Sequence, residues 1–124
     1  MNFRRRTLAV SAAAATLVLG GATSAFAGID ATAEAAGVKV TFHSYGDYFK
    51  VCDMATDSGN PYADVRYTNA AGSSRTWRHQ IDKGSGNCGK FDHNFGEGRT
   101  VLFRACNDTP WLPDPCSAWK TGVA

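Results

Sequence analysis

The chain has 124 residues, with 13 Lys+Arg against 11 Asp+Glu, and three of those basic residues, Arg4, Arg5 and Arg6, stand ahead of an apolar run from Leu8 to Leu19 that ends in Ala25-Phe26-Ala27. A positive start, a short apolar core and a small-x-small ending are read as a signal peptide over residues 1–27, exported by the ordinary Sec route, since the residues around Arg5-Arg6 fit a twin-arginine signal poorly. The remaining 97 residues hold ten basic and eleven acidic side chains, which disfavours a generally basic nucleic-acid protein, and no later run reaches the roughly 18 apolar residues of a membrane span.

Residues 28–37, rich in alanine, have little to bury and are expected to stay loose, ahead of a single domain over residues 38–124. The first strand is expected where Val38, Val40 and Phe42 alternate with Lys39, Thr41 and His43. A turn at Tyr45-Gly46-Asp47 leads to a strand from Tyr48 to Asp53, with Phe49 and Val51 toward the core. The Asp57–Pro61 stretch has turn chemistry, and Tyr62 to Thr68 follows with Ala63, Val65 and Tyr67 on one face. Arg75 to Asp82 alternates again, bringing Trp77, His79 and Ile81 together. Five glycines between Gly84 and Gly98 leave room for at most a short strand near Phe91. Arg99 to Cys106 carries apolar groups on both faces, as a central strand would, and Pro110, Pro113 and Pro115 then exclude ladder pairing before a last short strand near Ser117–Lys120.

Two leucines against six valines and twelve aromatic residues after residue 27 suit pleated, half-buried strands. The expected fold is all-β: an antiparallel sandwich or barrel-like domain of five to seven strands. Cys52, Cys88, Cys106 and Cys116 are an even set in a small exported domain, so two disulfides are expected rather than zinc, for which there is no Cys-x-x-Cys pair. Cys52–Cys88 with Cys106–Cys116 is the favoured connectivity, because the last pair brackets a proline-rich loop able to close on itself.

The contexts of these cysteines, Gly46-Asp47-Tyr48-Phe49-Lys50-Val51-Cys52-Asp53, Val101-Leu102-Phe103-Arg104-Ala105-Cys106 and Cys116-Ser117-Ala118-Trp119, resemble those of small secreted proteins of streptomycetes and related actinobacteria. The resemblance implies an exported all-β domain with paired cysteines and carries no site residues. Trp77-Arg78-His79 is loosely similar to the Trp-Arg-Tyr turn of an actinobacterial amylase inhibitor, but the cysteine spacing differs. Enediyne-carrier apoproteins place their cysteines differently again.

No catalytic set is legible. A small ribonuclease, the sharpest enzymatic alternative, would draw on Glu97, His93 and Arg78 or Arg99, yet their order matches no known signature. Gly84-Ser85-Gly86 lacks the strand-then-helix setting of a phosphate cradle, and the carbonyl and carboxylate oxygens around Asp53, Asp57 and Asn60 fit turn chemistry better than a calcium loop. No cofactor or metal is expected, and the chain is read as a monomer.

Two surfaces are candidates for binding. Residues 66–93 sum to +3 after −4 over residues 28–65, and alternation places Arg66 and Arg78 outward with Arg75 in the adjoining loop. These three arginines offer a basic face for an anionic cell-wall polymer or an acidic protein, against the plainer reading of a solvated sheet face. Trp111, between two prolines in the last loop, is either a lid folded on the core, the favoured reading, or a stiff apolar anchor for a partner. The functional expectation is a non-catalytic binding or inhibitory protein outside the cell.

Overall fold

The computed structural model describes residues 28–124, so residues 1–27, expected to be a signal peptide, lie outside the described residues. Eight strands, more than the five to seven expected, form two four-stranded antiparallel sheets. In chain order they are β1 (Ala31–Ala35), β2 (Val38–His43), β3 (Tyr48–Asp53), β4 (Asn60–Thr68), β5 (Ser74–Gln80), β6 (Cys88–Asp92), β7 (Thr100–Asp108) and β8 (Lys120–Val123). One sheet has the order β1-β2-β3-β6 and the other β5-β4-β7-β8, so β7 is a central strand as its two-faced apolar pattern requires.

The core is the set of inward positions that period-2 alternation selects. Val40 pairs with Val51, and Phe42 with Phe49, across β2 and β3, while Val65 pairs with Phe103 across β4 and β7. All six are buried. Phe42, Phe49 and Phe103 meet ring to ring between the sheets, the Phe49 and Phe103 centroids 5.3 Å apart at a steep angle that suits their quadrupoles.

The alanine-rich segment is not loose. Ala31–Ala35 pairs with β2 through a two-residue turn at Ala36-Gly37, both with positive φ, as a tight hairpin that follows the strand twist demands. Ala33 is buried in the core, but alternation of alanine with Thr32 and Glu34 carries too little hydropathy contrast to announce a strand. The last strand runs over Lys120–Val123 rather than Ser117–Lys120, and Gly122 in it lies directly against the Phe42 ring, which leaves no room for a Cβ.

The two sides of the sandwich close differently. On the β1 and β8 side, Ile29 and Val123 exchange backbone hydrogen bonds of 2.8 and 3.0 Å, a barrel-like join between the sheets. On the other side, β5 and the end of β6 meet only through side chains. The disulfides are Cys52–Cys88 and Cys106–Cys116, each between cross-strand partners and on the outer face of a different sheet.

Candidate functional site

The outer face of the β5-β4-β7-β8 sheet carries most of the polar chemistry. Register puts Tyr62, Asp64 and Arg66 of β4 beside Gln80, Arg78 and Thr76 of β5 and beside Cys106, Arg104 and Leu102 of β7. In the middle, Asp64 receives Arg78 Nε at 3.0 Å on one oxygen and Arg104 Nη2 at 3.0 Å on the other. The Arg78 guanidinium also lies 4.0 Å from the Tyr62 ring centre, and its bond to Asp64 raises its pKa further. One carboxylate thus occupies two arginines. Trp119, just before β8, holds two as well: the Arg66 and Arg104 guanidinium carbons lie 4.3 and 4.8 Å from the centre of its ring.

Beyond Arg66 the face opens into a groove of about 510 Å³ at the end of the sheet where β4 turns into β5 and β7 begins. Arg66, Arg75 and Arg99 line it, with hydroxyls from Thr68, Ser74, Thr76 and Thr100 and the part-exposed side chain of Leu102. No side-chain carboxylate lines it, and among the described residues none of the three arginines makes an ion pair. Arg99 gives Nη1 to the Asn69 carbonyl at 3.4 Å. Glu97, in the turn before Arg99, is exposed. A smaller hollow of about 180 Å³ continues from Arg66 and Thr76 toward Trp119. Guanidinium forks, hydroxyl donors and an absence of competing carboxylates suit the capture of phosphate, sulfate or carboxylate groups.

Of the expected basic residues, Arg66 and Arg75 come together in this groove, while Arg78 is held away from it on Asp64. Arg75 belongs to β5 rather than to the loop before it. Arg99 and Trp119 were not singled out from the sequence; they reach the groove because β7 and β8 lie beside β4, a cross-strand relation with no local signal.

Trp111 is not a lid. It is 100 % exposed at the tip of the Cys106–Cys116 loop, with Leu112 beside it at 70 %. Pro110 and Trp111 occupy the corner of a tight turn, and Trp111 has φ 66°, the left-handed region that L side chains disfavour. The part of the lid is played instead by Asp114, which accepts the Tyr62 hydroxyl at 2.7 Å and the Thr109 N–H at 3.3 Å, so that the loop base covers Tyr62. Burial and this bond push the Tyr62 pKa up to about 12.

His79 faces inward beside Trp77, as alternation requires, and meets His93 with the two Nε2 atoms 2.6 Å apart. Phe91 stacks on His79 and Phe95 on His93. At that distance one imidazole donates and the other accepts, so the two rings cannot both be protonated. Burial, then the nearby His93, lowers the His79 pKa to about 4, and burial lowers that of His93. His93 and Arg78 therefore sit on opposite faces of the β5 sheet, so a ribonuclease set that draws on Arg78 is not gathered. Asp53 and Asp57 turn an oxygen to Ala55 N and Gly59 N respectively, and Asp57 also takes Asn107 Nδ2. The Trp77-Arg78-His79 tripeptide runs along a strand, not around an exposed turn.

The fold and the groove define a two-disulfide β-sandwich with a cationic, hydroxyl-lined depression on one sheet. Comparison of the chain with protein-family models, with curated proteins and with solved structures gave no match.

Proposed function

We propose that this chain is an exported, non-catalytic binding module that holds an anionic partner in the Arg66–Arg75–Arg99 groove. The observation that carries this reading is the absence of any side-chain carboxylate from a groove lined by three arginines, while the outward Arg78 and Arg104 of the same sheet are already satisfied by Asp64. The two disulfides favour an oxidising, extracellular setting. The partner's class is a polymer or surface bearing phosphate, sulfate or carboxylate groups, because such groups match the guanidinium fork and the flanking hydroxyls.

The test is retention of oxidised residues 28–124 on immobilised heparin at low salt. Arg66→Glu with Arg75→Glu abolishes retention, whereas Lys50→Glu with Lys90→Glu, the same change of charge on the other sheet, preserves it. Equal loss in both double variants would reduce the effect to net charge and refute the groove.

A further inference from the structure

We propose that the Trp111-Leu112 tip of one copy of this chain seats in the Arg66–Arg75–Arg99 groove of a second copy. The proposal rests on the groove being the binding surface and names an occupant for it.

The tip is built as a ligand would be. Its conformation is held by the Cys106–Cys116 disulfide, by Asn107 N–H to the Pro115 carbonyl at 3.0 Å and by both oxygens of Asp114. A loop already ordered loses little entropy when it docks. Trp111 sits in a left-handed conformation that L side chains disfavour, and a fully exposed side chain recovers none of that cost within its own chain.

Charge identifies the complement. Between Cys106 and Cys116 there is no basic residue, while Asp108 and Asp114 flank the tip and Asp57 joins them through Asn107. The tip is therefore apolar with an acidic base. The groove is its counterpart, three arginines with Leu102 at 38 % exposure on the wall. Opposite potentials and apolar surface on both partners are what specific docking uses.

Placement makes the contact intermolecular. The groove lies at the Thr100 end of β7 and the tip beyond its Asp108 end, about 20 Å apart along the six residues from Leu102 to Asp108. With the loop base pinned to Tyr62, a chain cannot fill its own groove. The resulting contact joins two different patches, a head-to-tail association.

Complementary variants test this. Oxidised residues 28–124 are sedimented from about 10 µM to about 1 mM, a range that spans weak protein contacts. The wild-type mass is expected to rise above that of one chain. Trp111→Ser, with a dead tip, and Arg66→Glu with Arg75→Glu, with a dead groove, each weaken association about 10-fold or more. Their equimolar mixture regains a one-to-one pair, since one supplies the tip and the other the groove. All three substituted residues are exposed, and near-ultraviolet circular dichroism checks that each variant is folded. A wild-type chain of single mass throughout, or variants that associate as the wild type does, would overturn the proposal. A wild-type chain of single mass that is still retained on heparin through Arg66 and Arg75 points to another acidic macromolecule as occupant and leaves the groove reading standing.

Discussion

Acid should loosen this domain in a particular window, through His79 and His93. The pair is the tie across the side of the sandwich where β5 and β6 share no backbone hydrogen bonds. With Nε2 atoms 2.6 Å apart among Phe49, Trp77, Phe91 and Phe95, the pair cannot carry two charges. Asp47 and Asp92, the nearest acids, favour a charge on His93 but do not outweigh its burial. In the unfolded chain His79 binds a proton near pH 6.5, and in the folded chain only near about 4. Its stabilisation is therefore complete above pH 6.5, falls as the pH drops from 6.5 to 4, and falls no further below. The full difference corresponds to about 3 kcal/mol, and partial access of water to the ring reduces this to about 2 kcal/mol. His93 adds in the same direction. Asp30, whose pKa is lowered by the Ser44 N–H and hydroxyl, contributes a loss only below pH 3.8. Urea unfolding followed by tryptophan fluorescence at pH 7.5, 5.5 and 4.5 reads the effect, each kcal/mol moving the midpoint by roughly 0.5–1 M. His79→Gln with His93→Gln should flatten the profile over that window. A wild-type midpoint unchanged between pH 7.5 and 4.5, or a double variant with the same slope as wild type, would refute the reasoning.

Three further outcomes follow from packing and backbone. Gly122→Ala drives a Cβ into the Phe42 ring and is expected to cost about 1–3 kcal/mol, whereas Gly84→Ala meets open space; a thermal melt showing equal stability of the two would contradict the close approach of β8 to the core. Trp111→Gly relieves the left-handed strain while freeing the unfolded chain, so its net effect is between zero and a gain of about 1 kcal/mol. A clear drop in melting temperature would mean that Trp111 packs on its own chain. Loss of the Cys52–Cys88 bridge, which closes 36 residues, should cost about 4 kcal/mol, and loss of Cys106–Cys116, which closes 10, about 3 kcal/mol, as double Cys→Ala variants compared by denaturation would show.

Much of this architecture is legible where large apolar side chains alternate with polar ones. Val38-Val40-Phe42, Phe49-Val51, Ala63-Val65-Tyr67 and Val101-Phe103-Ala105 announce their strands and inward faces directly. Ala31–Ala35 does not, because its inward side chains are methyl groups whose alternation has little hydropathy contrast, and Lys120–Val123 does not, because its inward residue is a glycine packed against Phe42. The disulfide pairs are legible for a different reason: a short proline-rich loop closes on itself and leaves the other two cysteines to each other. The site is half legible. Arg66 and Arg75 stand out by charge, but that Asp64 would claim Arg78, and that Arg99 and Trp119 would join the groove, depends on register between strands far apart in the chain. Exposure of Trp111 likewise has no local signal: it accompanies a loop whose base, not its tip, bonds Tyr62 through Asp114.

The groove as binding surface is tested most directly by mapping. Oxidised, 15N-labelled residues 28–124 are titrated with inorganic polyphosphate, and amide shifts are followed residue by residue. The account predicts saturable shifts concentrated at residues 66–68, 74–76 and 98–102, lost in Arg66→Glu with Arg75→Glu. Shifts scattered evenly over both sheets, or an absence of shifts at those three segments, would contradict it.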